Sequence, residues 1–491
     1  MLRLAVIGGG PSAACMVAAV ARRVVAVSPV DITVFEPGPN LWRGQVFQCD
    51  GDEVLANVPM AEMSARTWDR EHGVRWLHEQ GLGAWAAESV FPSRSLVGRY
   101  LQDAAELAVT AMVAGGSQVR VEARAVQALV RDEGHLIAYG DGWRAGPFDH
   151  AVLCPGAPPS YDPYGLAGAA GYHRDPYPLR DSLADVPVRA RVGIVGSGLT
   201  AVDVVMALRA RGHQGPISLA SRRGLLPAVR CAPGSHILQH LTVPNLLELS
   251  GRNGGLRAAD VISLATAELA GAGADPAAIA ADLSRTAPAA RRLREDLDRA
   301  RHDPDPGWTL LRDAMVSCGQ DAWYLLRAED KSRIRSWHQS LMRHCCPMPP
   351  GNAAALSDLF DTGQLDVLPG VTSIRPRPGG GFEIRAARDC TVDVLVSAAT
   401  PATHRPAPMA RQLVASLVAQ GLAVPHPFGG LRVERTTSRL ITSRGGPDPG
   451  LHALGDLTHG AYLFTFGMPV LAARADGIAT DIATAVREAF V

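Results

Sequence analysis

The sequence predicts an α/β fold of two Rossmann-like units with a helical insertion, and three observations carry that expectation. Residues 2–36 run as an apolar stretch, a glycine turn, a helix-forming stretch and a second apolar stretch ending in an acid. The same order recurs about 190 residues later. Between about residue 231 and 345 the spacing of apolar residues is helical instead. A repeated strand–turn–helix–strand unit says more than either copy alone, because single glycine turns are common and registered pairs are not.

Leu2–Ile7 is the first strand, and it stops at Gly8-Gly9-Gly10-Pro11-Ser12-Ala13, where proline can open a helix that runs to about Arg23. Asp31-Ile-Thr-Val-Phe-Glu36 closes the unit as a second strand. Val121 to Tyr139 reads as short strands with turns, and His150-Ala-Val-Leu-Cys-Pro155-Gly156 as a buried strand with a small-residue end. The Pro- and Gly-rich stretch from Pro155 to Pro187 is a connection. Arg191–Val195, Gly196-Ser197-Gly198-Leu199-Thr200-Ala201, a helix to about Arg211 and the strand Pro216–Ser221 make the second unit. Within the helical middle, Pro276–Arg301 has the pattern of an amphipathic surface pair. Strands return from Leu365, at Phe382–Ala386 and Thr391–Ser397, and a closing helix starts near Pro469 after His452-Ala-Leu-Gly455-Asp456. The domain division expected is 1–160, then 161–395 with its insertion at about 231–345, then a return segment at 396–491 that rejoins the first unit.

Lys plus Arg and Asp plus Glu each total 48, so the formal charge is zero and the basic field expected of a nucleic-acid binder is missing. A small-molecule partner is expected; self-association is left open. Hydrophobic residues at 47% and charged residues at 20% exclude wholesale disorder. Lys331 is the sole lysine, a bias that reads as base composition. No run of 18 charge-free apolar residues suggests a membrane span. The opening residues lead into a glycine turn rather than following signal-peptide grammar, so a cytoplasmic protein is expected. None of the eight cysteines forms Cys-x-x-Cys, which argues against thiol–disulfide chemistry. His338, His344, Cys345 and Cys346 cluster, but adjacent cysteines suit one tetrahedral site poorly and no metal is expected.

In Gly8-x-Gly10-x-x-Ala13, the first glycine permits the tight turn, the second admits a pyrophosphate to the backbone, and Ala13 lets helix and strand approach. Pro11 and Ser12 open the helix whose N–H groups would face the phosphates. Glu36 stands where a ribose hydroxyl acceptor is needed. Gly196, Gly198, Leu199, Thr200 and Ala201 repeat the turn, but their second strand ends in Ser221-Arg222-Arg223. Guanidinium groups there suit a 2'-phosphate, which favours NADPH, against the plainer reading of a solvated arginine turn.

The two turns, the small-residue strand ends at Cys154-Pro155-Gly156 and Ser397-Ala-Ala-Thr400, and the late Gly455-Asp456 resemble the two-dinucleotide-binding-domain flavoproteins of glutathione-reductase type. The resemblance implies FAD on the first unit, NAD(P)H on the second, and the Asp456 carboxylate on the flavin ribityl chain. Cys154-Pro155-Gly156 departs from the usual Ala-Thr-Gly, and the helical middle does not align. Trp42-Arg43-Gly44-Gln45, Asn57-Val58-Pro59 and Ser221-Arg-Arg-Gly-Leu-Leu-Pro227 are similar to bacterial flavin monooxygenases that hydroxylate amine nitrogens, aspartate N-monooxygenases among them.

Trp42, Arg43 and Gln45 follow Glu36 closely and are expected beside the first nucleotide, and Gly156 and Thr400 at the two strand ends. Gln45 and Asn57 are candidates for the flavin edge, or else loop amides serving the backbone. His459 is a candidate acid or base, with a structural role as the alternative. Arg230 and Arg343 are candidates to clamp a substrate carboxylate. The function expected is an FAD-dependent, NADPH-consuming monooxygenase that oxygenates a small polar metabolite with O2, N-hydroxylation foremost, through a C4a-hydroperoxyflavin. A flavin reductase passing electrons to another acceptor and a non-catalytic nucleotide-binding partner remain as alternatives.

Overall fold

The computed structural model describes residues 1–87, 90–156, 162–232, 236–302, 306–399 and 406–489. Thr400 therefore lies outside the described residues. Two parallel sheets organise the chain. The first has the strand order Arg439–Ile441, Pro447–Ala453, His150–Leu153, Leu2–Ile7, Val30–Phe35, Gln118–Glu122, parallel apart from its first, antiparallel edge. The second has the order Leu365–Leu368, Ile217–Ala220, Val192–Val195, Val394–Ser397, Tyr172–His173. Parallel strands covered on both faces need unbroken apolar runs, and Leu4–Ile7, His150–Leu153, Val192–Val195 and Val394–Ser397 are buried at every residue. Each unit adds a small antiparallel sheet, at 128–148 and 373–392.

The helix Pro11–Arg23 buries every residue from Ala13 to Val20. Helices Arg94–Ala114 and Met468–Ala489 pack on it, with Ala472, Ala475 and Ala479 among the residues of the shared core. Small side chains let the backbones approach closely enough to seal it off. The last helix thus completes the unit that the first strand begins.

Strand Val394–Ser397 belongs to the second sheet, where it pairs with Val192–Val195. The division expected at 395/396 would cut through it, and the second unit runs two residues further. A second correction concerns Pro276–Arg301. Its helices, Pro276–Ser284 and Ala289–His302, do not lie as a plain surface pair, because Asp282, Arg292 and Asp296 are buried beneath them. Helical periodicity reports a half-buried face but not whether charges pair inside it.

The helical insertion, from Val243–Asn253 to His338–Cys345, interrupts the second unit yet fastens to the last part of the first. Trp323 Nε1 donates to the Gly460 carbonyl at 2.9 Å, Gln320 Nε2 to the Phe464 carbonyl at 2.5 Å, and Tyr324 Oη to the Val433 carbonyl at 3.1 Å. The two units also meet at a buried cluster. Arg94 Nη2 lies 2.8 Å from Asp203 Oδ2, Tyr177 donates to the same oxygen, and Asp50 accepts the N–H groups of Leu179 and Arg180 at 2.7 and 2.9 Å. Among the described residues no helix is long and apolar enough to cross a membrane.

Candidate active site

Both glycine turns are built the same way. Gly8 has φ +108°, and a Cβ there would sit 2.0 Å from the Cys154 carbonyl oxygen. Gly196 has φ +118°, and its Cβ would sit 2.5 Å from the Ala398 oxygen. Each turn is pressed against the end of a neighbouring strand, which only glycine allows. The glycine two residues on in each turn, Gly10 or Gly198, is the helix N-cap and offers no side chain to the first N–H groups. These groups remain available to an anion. A Cβ on Gly198 would meet nothing within 4 Å, and one on Gly10 only the Gly44 Cα at 3.6 Å, so open space lies in front of both helices.

Glu36 braces the first turn, its Oε2 accepting the Gly9 N–H and its Oε1 the Gly38 N–H, both at 2.7 Å. Each oxygen keeps a lone pair for a ribose hydroxyl. Trp42 adopts φ +65° with its side chain buried in the core, and its N–H donates to the Gly9 carbonyl. It therefore shapes the loop through its backbone, a role its sequence position does not reveal. Arg43 is anchored away from the turn by Gln102 at 2.9 Å and Cys49 at 3.1 Å. Ser12 lies beside Gly455, whose φ is +82° and whose Cβ would reach Ser12 Oγ at 3.0 Å, so the late loop abuts the first helix start.

Asp456 is half-buried, and burial pushes its carboxyl up against a single offsetting hydrogen bond from Thr465 Oγ1 at 2.9 Å. A sugar-alcohol hydroxyl is the kind of donor such a group lacks. Gly156 holds φ +79° with open space at its Cβ position. In the second unit Ser221 Oγ is occupied, accepting the Gly224 N–H at 3.0 Å and meeting Ser197 Oγ at 3.0 Å. Arg222 is exposed, and Arg223 reaches Ser340 Oγ at 3.3 Å.

Gln45 is exposed and donates to Asp175 at 3.3 Å, whereas Asn57 is half-buried and its carbonyl accepts Arg230 Nη1 at 3.2 Å. The structure does not bring these two side chains onto a common partner. His459 is half-buried; burial first, then His338 and Arg335, push its pKa down to about 4, so the ring is neutral at physiological pH. It has no proton to give as an imidazolium there.

Arg230 and Arg343 are not free to clamp a substrate. Arg230 Nη2 holds both Glu62 oxygens, at 2.5 and 2.6 Å, and Arg343 pairs with buried Asp296 and donates to the Leu226 carbonyl at 2.8 Å. Arginine buried beside a carboxylate is consumed by it, a long-range fact with no local signal. Among the described residues no group of three or more His, Cys, Asp or Glu is placed to hold a metal. His344 instead stacks on Trp308 with ring centroids 3.6 Å apart.

Sequence reasoning missed a cleft of about 470 Å³ lined by Arg124, Ala125, Gln127, Asp141, Gly142 and Trp143. Trp143 stacks on Phe35 at 5.5 Å, so the cleft opens beside the residue preceding Glu36. An isolated tryptophan in a short strand was the one available signal. It also missed Glu62, Arg312 and Asp313, which gather around Arg230 from separate parts of the chain.

Residues 5–158 match the family model described as FAD-NAD(P)-binding. No curated protein matches the sequence closely enough to count as a relative. Solved structures match over the whole chain. An L-lysine 6-monooxygenase from Pseudomonas syringae is 14% identical with a TM-score of 0.62, over 100% of this chain and 99% of that one. A cadaverine monooxygenase from Erwinia amylovora, bound to FAD, is 13% identical with a TM-score of 0.58, over 98% and 94%. A Kutzneria ornithine N-hydroxylase, with reduced FAD, NADP+ and L-ornithine, is 16% identical with a TM-score of 0.54, over 99% and 99%. The chain therefore has the two-unit FAD/NAD(P) flavoprotein fold of these structures.

Proposed function

We propose that this chain is an FAD-dependent, NADPH-consuming monooxygenase that hydroxylates the nitrogen of a small polar amine. The observation that carries the reading is the pair of glycine turns, each sealed against a neighbouring strand end with open space before its helix, beneath an insertion that bridges both units. The full-length likeness in fold to the lysine and cadaverine monooxygenases and the ornithine N-hydroxylase supports it.

Bound FAD would supply the hydride acceptor and the activation of O2, which no side chain can provide. In our reading Gly8, Gly10, Pro11, Ser12 and Ala13 hold its pyrophosphate, Glu36 its ribose and Asp456 its ribityl chain. Gly156, Trp42 and Arg43 shape the walls. Gly196, Gly198, Leu199 and Thr200 hold the NADPH pyrophosphate, and Arg222 and Arg223 its 2'-phosphate. Gln45 and Asn57 stand at the ring edge. Neutral His459 and the buried Trp323–Gly460 contact exclude water from that side. An amine reacts as a nucleophile only after losing its proton. Asp313, whose carboxylate accepts Arg312 at 3.2 Å, is the group to which we assign that proton.

The test is direct. The purified protein should be yellow, oxidise NADPH faster when the right amine is added, and release the corresponding hydroxylamine by mass spectrometry. A yellow protein that passes electrons rapidly to artificial acceptors, with no oxygenated product from any amine, would favour the reductase reading instead.

A further inference from the structure

The seam between the two units is closed by charge. Arg94, the first residue of the helix Arg94–Ala114, belongs to the flavin unit, and Asp203 lies in the helix Leu199–Ala210 that the second glycine turn opens. Their side chains are 11% and 3% exposed, and they meet at 2.8 Å. Tyr177, from the connection between the units, donates to the same Asp203 oxygen and places its ring 5.9 Å from the Arg94 guanidinium carbon. Arg94 Nε is buried without a hydrogen-bond partner, and among the described residues Asp203 is the one carboxylate at ion-pair distance from this arginine. Around the pair the first unit is fitted into the second. Asp50 accepts the Leu179 and Arg180 N–H groups, and Val54 is wholly buried in the core that Leu179, Val202 and Val205 share.

Asp203 stands where the charge of a coenzyme would be felt. It follows Thr200 by three residues and Leu199 by four, so it shares a helix face with both, one turn deeper. Thr200 is in turn a hydrogen-bonding neighbour of the Tyr177 phenol. The N–H groups that Gly198 leaves uncapped attract an anion, but a diphosphate there adds negative charge at the same end of the helix as buried Asp203. Like charges in a poorly solvated place repel strongly, and a neighbouring cation offsets the repulsion. The cation at hand is Arg94, and it comes from the other unit. Occupancy of the coenzyme turn therefore strengthens the contact between the units.

We infer that the Arg94–Asp203 pair couples the two units: coenzyme on the second glycine turn draws the flavin unit against it. Arg94, Asp203 and Tyr177 are thus positioning residues for hydride transfer, the step that moves two electrons and one proton from NADPH to the flavin and leaves NADP+. The inference rests on the reading that this turn holds NADPH, and not on which substrate is oxygenated. By linkage the effect is reciprocal, so seating Arg94 favours coenzyme binding to the same extent. It also accounts for a buried ion pair at a seam that neutral side chains of the same size would close as well.

The experiment uses the full flavin-loaded protein in its oxidised state with NADP+ as the probe, so binding is read without turnover. Three variants separate coupling from packing: Arg94→Met, the neutral double variant Arg94→Met with Asp203→Asn, and Tyr177→Phe, which keeps both charges. By calorimetry, Arg94→Met should weaken NADP+ binding about tenfold, and the double variant should restore it to within about threefold, because the repelling charge is gone. Amide exchange at Leu179 and Arg180, the groups held by Asp50, should slow about threefold when NADP+ binds the parent. The double variant should lose that response, and Tyr177→Phe should keep only part of it. Hydride transfer from saturating NADPH, followed by stopped flow, should be about tenfold slower in the double variant despite its near-parental affinity. Flavin content and melting temperature are measured on each, and if Arg94→Met alone does not fold, the double variant and Tyr177→Phe decide. Exchange that ignores NADP+ in the parent, or responds equally in the double variant, overturns the inference. So does a double variant reduced at the parental rate. A parent that binds no NADP+ would instead sink the coenzyme reading on which the coupling rests.

Discussion

The Cα of Gly8 faces the carbonyl of Cys154 so closely that a β-carbon on Gly8 would lie 2.0 Å from that oxygen. The same relation joins Gly196 to Ala398 at 2.5 Å. Gly8→Ala therefore has no room and no allowed backbone conformation, and should yield little folded, flavin-bearing protein. Gly196→Ala should keep the flavin and lose reduction by NADPH. Absorbance spectra and stopped-flow reduction of the two variants check this, and an unaffected Gly8→Ala would show that the two chain segments are not in contact.

Gly198→Leu separates ligand binding from folding. A Cβ at this position meets nothing within 4 Å, so the variant should melt within about 1 °C of the parent while the KM for NADPH rises at least tenfold. An unchanged KM would remove the pyrophosphate from this turn.

Arg222 and Arg223 set the coenzyme in our reading. The double variant Arg222→Ser, Arg223→Ser should lower kcat/KM for NADPH by about 100-fold and leave that for NADH within about threefold. Equal losses with both coenzymes would point to a general effect on the loop.

The Arg94–Asp203 pair is buried, and Tyr177 shares the carboxylate. Removing only the cation, as in Arg94→Met, leaves Asp203 enclosed and should destabilise the protein by about 3–5 kcal/mol. The double variant Arg94→Met, Asp203→Asn should recover part of that loss. Thermal unfolding of the four combinations measures the coupling.

His150 is held neutral. Burial first, and then neighbouring His452, push its pKa from 6.5 down to about 4. The unfolded chain takes up this proton first as pH falls, so the contribution is complete above about 6.5 and is lost between there and about 4, amounting to at most about 3 kcal/mol. His150→Phe should flatten the pH dependence of unfolding in that window, as urea titrations at several pH values would reveal. A slope unchanged in the variant would place the titrating group elsewhere.

What the sequence made legible followed from local chemistry. Leu4–Ile7 and Val192–Val195 are apolar because both their faces are covered, and Gly8 and Gly196 are glycine because strand ends press on them. The fates of Arg230 and Arg343 were not legible. Their partners, Glu62 and Asp296, lie 168 and 47 residues away, and no window of sequence joins them. Sequence position puts Trp42 beside the first nucleotide but cannot reveal its left-handed backbone or its buried side chain. The ties from Gln320, Trp323 and Tyr324 to the chain beyond Val433 explain why the insertion resisted reading as a separate piece.

The order of strands in the first sheet bears on how the chain is made. Its opening strand is flanked by His150–Leu153, which waits for Pro447–Ala453, and its first helix is covered by Met468–Ala489. On the ribosome the part of the Ala13–Val20 surface that Met468–Ala489 covers must stay exposed until those residues have emerged, while the second sheet, needing nothing beyond Ser397, can form earlier. Biosynthesis thus leaves the unit at the N-terminus to be finished last, and slowed elongation past residue 397 would lengthen the interval in which that half is open to chaperones and proteases.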